Sequence, residues 1–485
     1  MWGAWRNCRR WPRERVFGKA AKPNRLVARR LLWAGGVHLR FAITACLLAC
    51  ATPLAGAETT SDAALPARLS LPEAEEIFLH RGFDLLIAEY GARGAHGDLL
   101  AASAHPNPGL QLSPVFTPAL RHDVLYPIGG NSPVPLWGFS VSLNDNGALE
   151  DQLSGKRSLR IEAASKAVAA SSWSIENVKR VELAQLQEAY VAEVMAKLNV
   201  DAAQSSFETY DQQLKLNEIK HAHGAINGLD LSRVRQAELE ALQTVDQARA
   251  GFQQAMAPLL FLLGVRGATP AITLTTGIDY SALPPLQGAS VTSLDQLALQ
   301  NRTDMKVAQA KLDGALVAVS QAKRSRFPDI SIGAGYSEQC NAESCSSAPG
   351  FMLTLQGNLP VLYQQQGEIE RAETNAVSAK LAVDKTKAQA LADVQQAFAA
   401  FTAATSQVER MRTGLLDAAK RSRDLAQVMY SQGAASLLDF LDAQRAYLAT
   451  ELELNQELAA YWNAVFQLEQ ATGTSFSPEI EGTKP

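Results

Sequence analysis

Few residues of this 485-residue sequence stand where they could do chemistry. Cys340 and Cys345 lie in a Ser-, Asn- and Gly-rich stretch with no histidine nearby. A metal centre would need further ligands at compatible spacing. In an exported protein the expected reading is therefore a local disulfide that closes a loop tip. His221 and His223 flank a glycine turn and read as solvated side chains, with contact to metal cations the weaker alternative. Ser436 and Asp439 open an apolar-periodic run. They form a capping-box-like pair with Asp in the place of Glu, the chemistry of a helix start. Asp442 lies within the same first turns, where a carboxylate also offsets the helix dipole. No nucleotide-binding loop, zinc signature or nucleophile motif occurs, so neither an enzyme nor a resident cofactor is expected.

The stretch that holds these carboxylates, Gly433 to Thr450, occurs twice. Gly224, Leu229 and Asp230 match Gly433, Leu438 and Asp439 at a separation of 209 residues, and Gly264 matches Gly473 at the same separation. Upstream, Asp84 and Pro108 match Asp304 and Pro328 at 220. Phe139, Val141, Leu143 and Gly155 match Phe351, Leu353, Leu355 and Gly367 at 212. A unit of roughly 200 residues has been duplicated, with loops that differ and elements that persist. The expected division is a leader over 1–57, a first repeat over 58–264, a linker over 265–290, a second repeat over 291–473 and a tail over 474–485.

Each repeat reads the same way. A helix is expected from Leu69 to about Ala104, stopped by Asn107-Pro108, and again from Ser293 to Arg326, stopped by Phe327-Pro328. Alternating residues then predict two strands, through Leu110, Leu112 and Val115 and through Phe139, Val141 and Leu143. Their counterparts run through Ile330 to Tyr336 and through Phe351, Leu353 and Leu355. A helix of about 65 residues follows, from Lys156 to about His221 and from Gly367 to Gln432, roughly 100 Å long. Leu391, Val394, Phe398, Phe401, Thr405 and Val408 are spaced as a coiled-coil seam. A glycine turn and a return helix complete each unit, with Pro258 expected to distort the end of the first return helix. Two shorter helices can stack end to end beside each long one, which gives a long antiparallel bundle.

Charge is unevenly placed. Residues 1–40 hold nine Arg, two Lys and one Glu, a net of +10 within a chain of net −4. The remainder is acidic at −14, which argues against nucleic acid as a partner. Residues 41–57 are uncharged and end in Ala55-Gly56-Ala57, a secretory signal with its cleavage site. The long basic stretch before it suggests that translation starts later, near Val37. Leu47-Leu48-Ala49-Cys50 resembles a lipobox, which would lipidate Cys50; cleavage after Ala57 is the favoured reading.

Four short strands per chain cannot close a barrel. Their length suits tilted membrane strands, whose open edges lipid does not tolerate. Three chains would supply twelve strands, within the outer-membrane range. Against this stands a soluble hairpin pair packed on the bundle.

His105-Pro106-Asn107-Pro108-Gly109-Leu110, Gly155-Lys156-Arg157, Leu359-Pro360-Val361-Leu362 with Gln366-Gly367-Glu368-Ile369, and Gly433 to Leu448 carry a resemblance. Taken with the duplication and covering about Leu69 to Gly473, the sequence resembles the TolC-type outer-membrane efflux factor family. Its Asn-Pro and Gly-Lys-Arg marks are most similar to the heavy-metal and cation branch. The resemblance implies a mainly α protein: a homotrimer with a twelve-stranded barrel in the outer membrane and a twelve-helix periplasmic tunnel. It implies a passive conduit served by a periplasmic adaptor and an inner-membrane resistance-nodulation-division-type pump. Asp439 and Asp442 match the acidic ring of the closed aperture. Tyr430 matches a latch tyrosine with Asp230 as its acidic partner, although Ala435 stands where the family network has an arginine. Gly224, Leu229, Gly433, Ser436 and Leu438 become candidate adaptor contacts. The competing readings are a soluble periplasmic coiled-coil scaffold or adaptor and, last, an exported enzyme.

Overall fold

The computed structural model describes residues 65–116, 137–267, 272–275, 286, 288–340 and 350–476. The leader, Cys50 and Cys345 lie outside the described residues, so the Cys340–Cys345 bridge does too. Leu65–Pro485 forms one compact unit.

The first half comprises β1 (Arg68–Leu69), α1 (Leu71–Arg81), α2 (Phe83–Ser103), β2 (Gly109–Phe116), β3 (Trp137–Asn144), α3 (Ala148–Leu153), α4 (Lys156–Ala222) and α5 (Gly228–Leu262). After β4 (Thr273–Leu274), the second half comprises α6 (Val291–Asn301), α7 (Thr303–Arg324), β5 (Ile330–Cys340), β6 (Gly350–Gly357), α8 (Gln366–Arg410), a π-helical turn (Met411–Leu415), α9 (Leu416–Ser431) and α10 (Leu437–Thr472). The order of elements thus repeats. Pro258 does not end α5, which runs on through it to Leu262.

Two helices expected to be continuous are broken. The backbone is extended at Gly82 and again at Arg302, 220 residues on, with φ of −54° and −58°. The same break is held in two ways. At Gly82 a Cβ would fall 2.6 Å from the Phe78 ring, so there is room only for glycine. Arg302 instead buries its side chain, pairing with Asp304 at 2.6 Å and Asp393 at 2.8 Å and donating to the Ala471 carbonyl.

The four long strands form an antiparallel sheet in the order β2-β3-β5-β6. Leu112 faces Val141, Val141 faces Tyr336, and Tyr336 faces Phe351. The central pairing joins the two halves, and among the described residues β2 and β6 are left as open edges. A second, parallel pair was not expected: β1 and β4 match Arg68 with Thr273 and Leu69 with Leu274. Tyr190 on α4 donates to the Leu69 carbonyl at 3.1 Å and ties this pair to the bundle.

The sheet is joined to the bundle by the Gly-Lys-Arg stretch. Gly155 adopts φ +76° at the start of α4. Lys156 reaches across to the second half, pairing with Asp329 at 2.6 Å and with Glu150 at 3.1 Å. Arg157 donates to the Ser103 carbonyl, and Arg160 donates to the Ala102 carbonyl at 3.1 Å. These arginines satisfy carbonyls that the end of α2 leaves without helical partners.

The core is shared between the halves. Val191 and Met195 of α4 pack with Leu294 of α6, Val394, Phe401 and Val408 of α8, and Tyr461 and Leu468 of α10. The coiled-coil seam read along α8 therefore faces the interior. A second cluster gathers Leu69, Phe78, Leu186, Tyr190, Leu259 and Leu263. Among the described residues no helix is long and apolar enough to cross a membrane.

Candidate functional site at the paired glycine turns

Both hairpins turn through a left-handed glycine, Gly224 at φ +70° and Gly433 at φ +75°. A Cβ at either position would meet nothing within 4 Å, so the need for glycine is torsional. Ala225 N–H donates to the Lys220 carbonyl and Ala434 N–H to the Met429 carbonyl, both at 2.8 Å. That is the Schellman closure of a helix end, built twice.

The helices that leave the turns are capped differently. The Asn227 side chain accepts from the Asp230 amide at 2.8 Å. In the second hairpin Ser436 and Asp439 form the expected capping box: Asp439 N–H donates to Ser436 Oγ at 3.2 Å, and the Asp439 carboxylate accepts from the Ser436 hydroxyl at 2.7 Å and its amide at 3.0 Å. The Ser436 hydroxyl, and then its amide, hold the Asp439 carboxyl below the usual carboxylate range. Asp439 is therefore both a cap and a fixed negative charge. Asp442 is exposed, with Arg445 3.7 Å away; Arg445 also reaches Glu240 on α5 at 3.0 Å. The pair places a cation beside one of the two carboxylates and cross-links the two return helices.

A small core lies beneath the turns. Tyr210, Val234, Ala237 and Ala241 of the first hairpin pack with Leu437, Phe440 and Leu441 of the second. Burial raises the Tyr210 phenol to about 12. The Tyr430 ring stacks on Phe440 with centroids 5.6 Å apart and planes 18° apart, and Lys220 Nζ sits 4.8 Å from the Tyr430 ring centroid.

Within the chain the Tyr430 hydroxyl donates to Asn217 Oδ1 at 2.6 Å, not to Asp230. Asp230 instead lies 3.4 Å from Arg233, one turn further along α5. Its charge still reaches Tyr430: burial raises the phenol most, Asp230 raises it further, and the Asn217 hydrogen bond opposes both. Asn217 is 0 % exposed, and its amide also donates to the Gln213 carbonyl at 2.8 Å. Sequence reading missed it, since a partner 213 residues away leaves no local pattern.

Leu229 and Leu438, at matching positions, are 61 % and 48 % exposed and point two apolar side chains away from the core. His221 Nδ1 lies 3.1 Å from the Ile226 carbonyl oxygen, and His223 is exposed. Among the described residues no group of three His, Cys, Asp or Glu side chains is arranged to hold a metal.

The model of the outer membrane efflux protein family matches residues 294–474. The chain is 22 % identical over 322 residues to the cobalt-zinc-cadmium resistance protein CzcC of Cupriavidus metallidurans, covering 66 % of this chain and 75 % of that protein. It is 24 % identical to the pyoverdine export outer membrane protein OpmQ of Pseudomonas aeruginosa, covering 71 % and 72 %. The crystal structure of CusC, described for its folding and transmembrane channel formation, superposes with a TM-score of 0.68 at 21 % identity, covering 84 % of this chain and 92 % of that one. Two matching glycine turns, a duplicated hairpin order and an open four-stranded sheet agree with these matches: residues 294–474 carry the pattern of the outer membrane efflux protein family, and the chain has the fold of the CusC channel.

Proposed function

We propose that the chain is the outer-membrane channel component of a tripartite efflux system, a passive conduit and not an enzyme. The observation that carries this reading is the open sheet. Its edge strands β2 and β6 leave backbone groups unpaired, and Leu110, Leu112, Phe351, Leu353 and Leu355 are exposed on it. An edge of that kind in contact with lipid must be closed. Three copies would close twelve strands into a barrel, with the helices continuing as a periplasmic tunnel. The names of CzcC and OpmQ support metal cations or small exported molecules as cargo. An inner-membrane resistance-nodulation-division-type pump would supply energy and selection.

On this reading the glycine turns form the periplasmic tip. Asp439 and Asp442, three copies each, ring the aperture and favour cations. Tyr430, with Asp230 nearby, takes part in holding the tip closed. Gly224, Leu229, Gly433, Ser436 and Leu438 meet the adaptor. The test is the native mass of the mature protein extracted from fractionated outer membrane. A particle near three chain masses is expected there. A periplasmic soluble monomer would overturn the conduit and leave the scaffold reading.

A further inference from the structure

On the helical side the central hairpin of the second half ends where Ile330 faces Gly357. β5 holds 11 residues. At about 3.3 Å each and a tilt of about 45° they rise roughly 25 Å, the height of the apolar band on an outer-membrane barrel. Ile330 and Gly357 therefore mark the level where hydrocarbon gives way to headgroups. After β6 comes Leu359-Pro360-Val361-Leu362, in which Leu359, Val361 and Leu362 are 76 %, 74 % and 99 % exposed. In the first half, Leu149 and Leu153 of α3 are also more than half exposed just past β3. Before β5 comes Lys323-Arg324-Ser325-Arg326-Phe327. The Phe327 ring is exposed, and the Arg324 guanidinium lies 5.1 Å from its centroid. Lys323 is engaged with Glu373 at 2.8 Å. Arg324 and Arg326 are exposed, and neither enters an ion pair among the described residues.

The fold does not ask for cations here. In the first half the matching stretch, at a separation of 220, is Ser103-Ala104-His105-Pro106-Asn107, with no lysine or arginine. Nor does it ask for a bare leucine such as Leu362, whose exposure to water forfeits the gain of burial. At a membrane surface both features become favourable. Apolar side chains enter the boundary between headgroups and acyl chains, and guanidinium groups grip phosphate through paired N–H donors. Each cation near an anionic lipid surface adds to the attraction. A second copy could cover the leucines, but the arginines would then need carboxylates opposite them. The chain itself runs from the exposed Leu353 and Leu355 of the sheet directly into Leu359 and Val361, so the apolar surface is continuous with the one that the membrane would cover.

We propose that these two segments form a collar that docks on the periplasmic leaflet of the outer membrane, with Leu359, Val361 and Leu362 at the acyl boundary and Arg324 and Arg326 on the phosphate of an anionic phospholipid. The collar rests on the conduit reading, which puts the sheet in the membrane.

The experiment uses the full mature protein with Cys340→Ser and Cys345→Ser, reconstituted in bilayers of phosphatidylcholine and phosphatidylglycerol. A nitroxide is placed at Leu362→Cys in the collar or at Leu353→Cys on the sheet. Collision with oxygen reports lipid, and collision with a water-soluble nickel chelate reports water. Both labels should be open to oxygen and shielded from nickel. If Leu353 lies in lipid while the label at 362 meets nickel, or meets neither reagent because a second copy covers it, the collar is wrong and the conduit stands. If Leu353 lies in water, the conduit reading falls and the collar with it. In a second measurement, spin-labelled phosphatidylglycerol should associate with the protein about threefold more strongly than spin-labelled phosphatidylcholine. Arg324→Gln with Arg326→Gln should bring that ratio close to one, while lysine at both positions should keep it. A ratio near one in the starting protein, or one that the glutamine variant leaves unchanged, would overturn the proposal.

Discussion

The two halves contain the same hairpin, but its first arm is held differently in each. In the first half α4 runs unbroken from Lys156 to Ala222 and buries Ala202, Ala203, Ser206, Tyr210 and Asn217 toward the turn. In the second half the arm is interrupted by the π-helical turn at Met411–Leu415, and α9 beyond it buries no residue. Leu425 and Val428 on α9 are more than half exposed. Duplication has copied the helix and its turn but not its anchorage. A π turn marks a place where the helical ladder departs from its regular pattern, commonly near a functional site. The end of α9 is tied back mainly through Tyr430, by its stack on Phe440 and its hydrogen bond to Asn217.

The largest test of this contrast is Phe440→Ala. Removing a fully buried ring from the tip should cost about 3–5 kcal/mol in a denaturant titration. The matching change in the first half, Leu231→Ala, touches a half-buried side chain and should cost roughly 1–2 kcal/mol. Equal costs would mean that the halves are anchored alike. Next comes Asn217→Ala, which leaves the Tyr430 hydroxyl without its acceptor and should cost about 1–3 kcal/mol, against about 1 for Tyr430→Phe. In a planar bilayer both variants should raise the conductance of the resting pore. Unchanged conductance would reduce the tie to a packing contact.

Gly224→Ala and Gly433→Ala should each cost about 1–2 kcal/mol, because both force an L residue into left-handed backbone with open space around it. Here the halves should agree, and a gap between them would mean that one turn carries a contact from outside the chain.

The smallest effect concerns Asp439. Its carboxyl is depressed in the folded chain, so its contribution is complete above the ordinary aspartate range and fades as pH falls through the depressed value. Helix content should therefore dip slightly more in acid for the wild type than for Asp439→Asn. Changing both Asp439 and Asp442 to Asn should also lower cation selectivity, read as a shift in reversal potential. An unmoved potential would take the two aspartates out of the aperture.

Much of this was legible because it is encoded locally. Gly433 followed by Ser436 and Asp439 specifies a helix end and a capped start within seven residues. The alternation around Val141 and Tyr336 likewise specifies strands. What escaped was encoded at a distance or not at all. Nothing around Arg302 announces a break, since the conformation is held by Asp393 and by the Ala471 carbonyl from other helices. The β1–β4 pair is two residues long, too short for any alternation to register. The π turn lies in a sequence, Met-Arg-Thr-Gly-Leu, that a regular helix would also accept. At the site the turns and caps could be read, whereas the Asn217 acceptor required the fold.

The open edges of the sheet also set a clock. Until β2 and β6 find partners, a lone chain presents two ladders of unsatisfied amides beside exposed leucines and phenylalanine, a template for the wrong neighbour. The time a newly exported chain survives is therefore set by how soon another copy arrives, and so by local abundance. Halving expression should lengthen that wait and divert more of the protein to aggregation or proteolysis, so the yield of assembled protein should fall more steeply than the amount synthesised.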